Sequence, residues 1–133
     1  MLRAAAAVAA GLIAWIVVAS IANLLVRVAW PGYAEVEVAM AFTLPMLLVR
    51  LFVGALSSVC AGLATALVAR SGPRAVPVLA GILLILFIPV HYSLWARFPP
   101  WYHLVFLSSL VFLPFLGSGL KPHLWPAQAK PLG

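Results

Sequence analysis

The chain has 133 residues, of which 66% are hydrophobic and only 8% are charged, whereas a soluble domain carries about a quarter charged residues. A chain of this length cannot form a core large enough to bury so much apolar surface. The composition therefore excludes a soluble globular protein and predicts an integral membrane protein. Eight Lys and Arg against two Asp and Glu give a net charge of +6, which we interpret as a sign of loop topology and not of nucleic-acid binding.

Four apolar runs are long enough to cross a bilayer, which takes about 20 residues. The first run ends at Pro31-Gly32 and the second at the segment RSGPR, both of which are typical of turns. The runs predict transmembrane helices over residues 4–30, 43–69, 75–96 and 100–118. We therefore expect one all-α domain over residues 1–120, a four-helix bundle with short loops, and an extended tail over residues 121–133.

The first twenty residues, MLRAAAAVAAGLIAWIVVAS, share features with a signal peptide. Arg3 precedes an apolar stretch, and Val18-Ala19-Ser20 offers a possible cleavage site. The apolar run nevertheless continues to about Val28, which is long enough to span. We therefore expect a first helix that is retained.

The basic residues indicate an orientation. On a four-span path, one side of the membrane receives five of them and the other side receives both acids with one arginine. The first set is Arg3, Arg70, Arg74, Lys121 and Lys130, and the second is Glu35, Glu37 and Arg97. The positive-inside rule then predicts that both termini are cytoplasmic and that loops 31–42 and 96–100 face outward.

Aromatic residues cluster at the predicted outer boundary, above all in the stretch HYSLWARFPPWYHLVFL over residues 91–107. Rings with an apolar body and a polar tip favour the headgroup layer. The sequence predicts an outer aromatic belt of Trp30, Tyr33, Trp95, Trp101 and Tyr102. The segment YAEVEVAM over residues 33–40 alternates polar and apolar positions; we favour an interfacial turn over a lone strand, which would have no ladder partner in a bilayer.

Small residues recur every four positions on the second predicted helix, at Gly54, Ser58 and Gly62. Such spacing lets helix backbones approach closely, which is a main route to association in lipid. The pattern is compatible with packing inside one bundle. We favour that interpretation over the alternative, an interface to a second copy or to another membrane subunit.

Two arginines lie within the predicted spans, Arg27 one turn after Asn23 and Arg50 early in the second helix. A buried arginine needs a partner or a path to the interface. Because Glu35 and Glu37 are the only acids in the chain, we expect at least one of them to pair with Arg27 or Arg50. The alternatives are snorkelling to lipid phosphates and an outward-facing polar cavity that binds an anion or a lipid headgroup.

Two histidines, His91 and His103, fall at similar depth on the third and fourth predicted helices. They are candidates for ligands of haem iron or of a chlorophyll-type pigment. The alternative is interfacial histidines with local hydrogen bonds, since Pro89 frees a backbone carbonyl one turn earlier.

Other chemistry finds little basis in the sequence. The single cysteine, Cys60, excludes an internal disulfide, a CxxC pair and a thiolate zinc site, and we interpret it as a packing residue. No Asp or Glu falls in the centre of a span, where proton-coupled transporters usually carry a carboxylate. We predict no catalytic residues and no metal ligands.

The hairpin HYSLWARFPPWYHLVFLSSL, together with TLPMLLVRLFVGALSS, resembles small inner-membrane proteins of proteobacteria that have four helices and no known activity. This resemblance implies a bacterial inner membrane and a four-span topology. It implies no activity and no functional residue.

These observations favour a non-catalytic accessory or structural subunit that associates with itself or with a larger membrane complex. The alternative is a small transporter, channel or lipid-binding protein with an outward-facing polar pocket lined by Asn23, Arg27, Glu35, Glu37 and Arg50. A second alternative is a haem or pigment carrier that uses His91 and His103.

Overall fold

The structure, a computed structural model, describes residues 1–70 and 74–124. In these residues the chain is helical and contains no strand. The helices are α1 (Leu2–Ala29), α2 (Tyr33–Ala39), α3 (Leu44–Ala69), α4 (Ala75–Ser93), α5 (Pro100–Gly119) and α6 (Lys121–Leu124). Four of them, α1, α3, α4 and α5, are long and apolar enough to cross a membrane, which confirms the predicted four-helix bundle.

Local sequence sets the ends of these helices. Pro45 and Pro100 occupy the first turns of α3 and α5, where a missing amide proton costs no hydrogen bond. Gly32 ends the α1–α2 turn at a φ of 80°, a left-handed conformation that glycine adopts without strain. The sequence predicts a third helix that ends at residue 96. Helix α4 instead ends at Ser93, and turns follow it as far as Pro99.

The segment YAEVEVA folds as helix α2, so the strand alternative for residues 33–40 is wrong. The expected extended tail begins instead with the short helix α6. The remainder of that tail, residues 125–133, lies outside the described residues.

Helix α3 is the centre of the bundle. It packs along α1 and α5, and α4 closes the other side against α5 and α1, whereas the backbones of α1 and α5 do not approach each other closely within the described chain. We call the end of the bundle that carries α2 the α2 end, and the opposite end the α6 end. At the α6 end, Lys121 Nζ donates hydrogen bonds to the Ala66 carbonyl oxygen, at 3.0 Å, and to that of Arg70.

The small residues of α3 are used inside the chain. Gly62 lies against the backbone of Pro114, and Gly54 lies against the ring of Phe106. Ser58 is fully buried and accepts a hydrogen bond from Trp15 Nε1 at 3.2 Å. The stripe therefore packs α3 against α5 and α1. This is packing inside one bundle, the first of the two interpretations given for the stripe.

Candidate functional site

A cluster of charged side chains lies at the α2 end, and we call it the arginine cluster: Arg27, Tyr33, Glu37 and Arg50. Glu37 accepts a hydrogen bond from Arg27 Nε at 2.7 Å and another from Arg50 Nη1 at 3.4 Å. Arg50 Nη1 also lies 3.3 Å from the Tyr33 hydroxyl oxygen. The predicted pairing of a glutamate with Arg27 or Arg50 is confirmed, and one carboxylate joins both arginines.

Helix α2 decides which glutamate takes part. Two positions apart on a helix differ by about 200° around the axis, so Glu35 and Glu37 point in nearly opposite directions. Glu37 faces α3, whereas Glu35 is exposed and forms no ion pair with any residue that the structure describes. Glu35 is therefore not part of the candidate site.

Protein groups hold Arg50 in place. Its guanidinium carbon lies 4.5 Å from the centre of the Phe42 ring, within cation–π range. Its Nε is buried and makes no hydrogen bond within the described part of the chain. Arg50 is therefore fixed by contacts from α2 and from the loop that joins α2 to α3, yet it keeps an unused donor.

A cavity of about 200 Å³ lies next to Arg50 and inside the bundle. Residues of all four long helices line the cavity. It lies between α1 and α5, whose backbones do not approach each other closely. Four of its nine lining residues are aromatic, and its polar side chains include Arg50 and Asn23. The lining residues are Trp15, Ala19, Asn23, Arg50, Val53, Gly54, Phe87, Tyr102 and Phe106.

The structure thus brings four of the five predicted pocket residues to one end of the bundle. Asn23 and Arg50 line the cavity, and Arg27 and Glu37 complete the arginine cluster beside it. Sequence reasoning missed Trp15, whose only signal is an aromatic ring in the middle of α1. It also missed the aromatic walls that α4 and α5 supply.

The predicted aromatic belt is corrected at two positions. Tyr33 is fully buried and Tyr102 is nearly so, and both point into the bundle instead of toward headgroups. Trp95 and Trp101 keep exposed rings at the same end, as a belt requires. The buried hydroxyl of Tyr33 finds its partner in Arg50, which explains why this tyrosine can leave the interface.

The two histidines meet directly. His91 Nδ1 and His103 Nδ1 are 2.7 Å apart, a hydrogen bond in which one ring donates and the other accepts. Both rings are buried, and the His103 ring stacks on Trp95 with ring centres 4.8 Å apart. The two histidines therefore form a local hydrogen bond, as the second interpretation predicted. Each has the other imidazole as its partner, and not a backbone carbonyl.

This geometry does not fit a haem or a chlorophyll-type pigment held between His91 and His103. A metal between two opposed imidazoles separates the nitrogens by about 4 Å, because each metal–nitrogen bond is about 2 Å. The observed 2.7 Å leaves no room for the ion or for a macrocycle. Among the described residues, no three His, Cys, Asp or Glu side chains are grouped so that they could hold a metal.

The substitution His91→Phe is expected to destabilise the bundle by about 1–3 kcal/mol, since it leaves His103 Nδ1 buried without a partner. Thermal unfolding in detergent measures the effect. The double variant His91→Phe/His103→Phe is expected to recover much of the loss, because replacing both partners removes the unpaired group. A double variant less stable than the single one would contradict this account.

Comparison of the chain with protein families, with curated proteins and with solved structures found no match.

Proposed function

We propose that the protein is an integral membrane protein that binds a small organic anion with an apolar body about one ring in size. The observation that carries this proposal is Arg50, a fixed and partly buried cation that lines an aromatic-walled cavity. Such a site corresponds to a small transporter or to a small-molecule or lipid-headgroup binding protein. No catalytic group is needed for either role.

Charge supports an anionic ligand. Two guanidinium groups, Arg27 and Arg50, share one carboxylate, Glu37, so one positive charge is left over in the arginine cluster. Electrostatic attraction is stronger inside a protein in a bilayer than in water. Glu35, the other acid of the chain, does not neutralise this charge, because it points away from the cluster.

Size and wall chemistry support the ring-sized body. A dry cavity of about 150 Å³ holds one benzene molecule, and this cavity is somewhat larger. Trp15, Phe87 and Phe106 provide rings against which a planar group can stack or pack edge to face. Asn23 adds a hydrogen-bonding side chain to the same cavity. A single-ring carboxylate such as benzoate has the size and charge that these features select.

The expectation of an accessory subunit rested in part on the small-residue stripe of α3. That stripe is buried inside this chain, so it offers no surface to a partner. We therefore place ligand binding ahead of assembly with other subunits or self-association. We further propose a bacterial inner membrane with both termini cytoplasmic, which turns the arginine cluster outward; the distribution of basic residues supports this orientation.

Benzoate is expected to raise the melting temperature of the purified protein by about 5 °C at roughly ten times its dissociation constant. Benzamide, which is neutral and has nearly the same shape, is expected to leave the melting temperature unchanged. Thermal unfolding in detergent, followed by tryptophan fluorescence, measures both. An equal shift with benzamide would show that Arg50 selects no anion and would overturn the proposal.

Three variants locate the site. Arg50→Gln removes the charge and Ala19→Leu fills the cavity while leaving Arg50 in place, so both are expected to abolish the benzoate shift. Arg97→Gln removes an exposed cation at the same end of the bundle and is expected to keep the shift. A folded Ala19→Leu protein that still responds to benzoate would place the binding elsewhere.

A further inference from the structure

A second cavity lies at the α6 end, in a groove between α1 and α4, and shares no residue with the cavity beside Arg50. Its volume is about 420 Å³. Apolar side chains form nearly all of it, and one arginine stands among them. The lining residues are Ala4, Ala5, Val8, Ala9, Leu12, Arg74, Ala75, Val78 and Ile82.

Alanines create the groove. Ala4, Ala5 and Ala9 face it from α1 and are exposed, while Ala75 faces it from α4. Because these side chains are a single methyl group, the two helices leave a channel that larger residues would fill. Val8 and Ala75 are buried and belong to a core cluster at this end of the bundle, so the floor of the channel is fixed.

The groove is long enough to hold part of an acyl chain. From Ala75 to Ile82 the rise along α4 is about 10 Å, and from Ala4 to Leu12 along α1 it is about 12 Å. Arg74 directly precedes α4 and is exposed, so its charge stands where the apolar span begins. The groove therefore places a cation at the end of the apolar span and apolar side chains along it. A membrane lipid has the matching arrangement, with its headgroup at the surface and its acyl chain inside.

The charges around the groove have one sign. Arg3, Arg70 and Lys121 lie at the same end as Arg74, and both acids of the chain lie in α2 at the opposite end. No Asp or Glu side chain therefore competes for Arg74. A basic pocket between transmembrane helices is a known form of site for anionic lipid headgroups.

We infer that this groove binds one anionic glycerophospholipid, with an acyl chain along α1 and α4 and its phosphate against Arg74. A soluble anion would gain nothing from the apolar walls. A zwitterionic lipid would fill the groove with its acyl chain, but it carries no net charge to match the basic end of the bundle. The combination of walls and charge selects a lipid that has both a chain and a net negative head.

Native mass spectrometry tests the inference on the full chain, purified in detergent and incubated with equal amounts of phosphatidylglycerol and phosphatidylcholine of the same acyl composition. We expect one retained lipid per chain and at least a fivefold preference for phosphatidylglycerol. Arg74→Gln is expected to lower that preference about fivefold, the usual effect of one surface cation on anionic lipid. Equal retention of the two lipids by the native sequence would overturn the inference.

A second pair of variants tests the walls. Ala9→Phe fills the groove from an exposed position and is expected to remove the retained lipid, whereas Ile21→Phe, exposed in the other half of α1, is expected to keep it. Arg97→Gln serves as the charge control, because it removes a cation at the other end. Unchanged lipid retention in a folded Ala9→Phe protein would refute the groove as the binding site.

Discussion

Replacing Gly62 with alanine is expected to destabilise the bundle by about 3 kcal/mol, the upper part of the usual range for an overpacked core. The added Cβ would overlap the carbonyl group of Pro114 on the neighbouring helix. A backbone group cannot rotate out of the way as a side chain can, so α3 and α5 would have to move apart along the length of their contact. Unfolding in a denaturing detergent, followed by tryptophan fluorescence, measures the change.

Gly81→Ala is the matched control. Gly81 also lies inside a long helix, but a Cβ built there meets no atom within 4 Å in the described chain apart from its adjacent residues and the backbone of its own helix. Since alanine is a better helix former than glycine by up to about 1 kcal/mol, this variant is expected to be as stable as the native sequence or slightly more so. Equal stabilities for Gly62→Ala and Gly81→Ala would mean that α3 and α5 do not cross as closely as described.

Glu37→Gln is expected to cost about 2 kcal/mol of stability. The amide cannot neutralise the two guanidinium groups, and the Arg50 side chain, only 24% exposed, would keep its charge without a counter-ion. Breaking a fully buried pair costs about 3–5 kcal/mol, and the partial exposure here reduces that figure. The double variant Arg50→Met/Glu37→Gln is expected to be more stable than Glu37→Gln alone, with a coupling of about 1 kcal/mol in a double-mutant cycle.

Glu35→Gln provides the comparison on the same helix. Glu35 is exposed and unpaired within the described residues, so its loss is expected to change stability by no more than about 0.5 kcal/mol. The same unfolding measurement applies to both variants. If the Glu35 and Glu37 variants lost the same stability, net charge would explain the effect and the ion pairs would not.

The helices could be predicted from the sequence because a bilayer imposes a length and an apolar composition that few other constraints imitate. The starts of α3 and α5 follow from Pro45 and Pro100, and the end of α1 follows from Pro31-Gly32. The ion pair was also predictable. With two acids in the whole chain, a partner for a buried arginine had few candidates.

What the sequence did not reveal is how each helix is rotated about its own axis. Tyr33, Tyr102, Trp95 and Trp101 all fall near one boundary, and position along the chain assigns them a depth but not a direction. Packing around Arg50 turns the tyrosines inward and leaves the tryptophans outside. The direction of Trp15 could not be predicted for the same reason. Its ring lines the cavity because α1 packs against α3, where Trp15 donates a hydrogen bond to Ser58.

The hydrogen bonds from Lys121 to the Ala66 and Arg70 carbonyl groups span 55 and 51 positions of the chain. During synthesis, the last carbonyls of α3 therefore lack this partner until α4 and α5 have both been made and inserted. Because Lys121 follows α5, this end can close only after the four long helices that the structure describes have been made. A chain interrupted just before Lys121 would contain α1, α3, α4 and α5 and still lack the hydrogen bonds that join the end of α3 to the residues that follow α5.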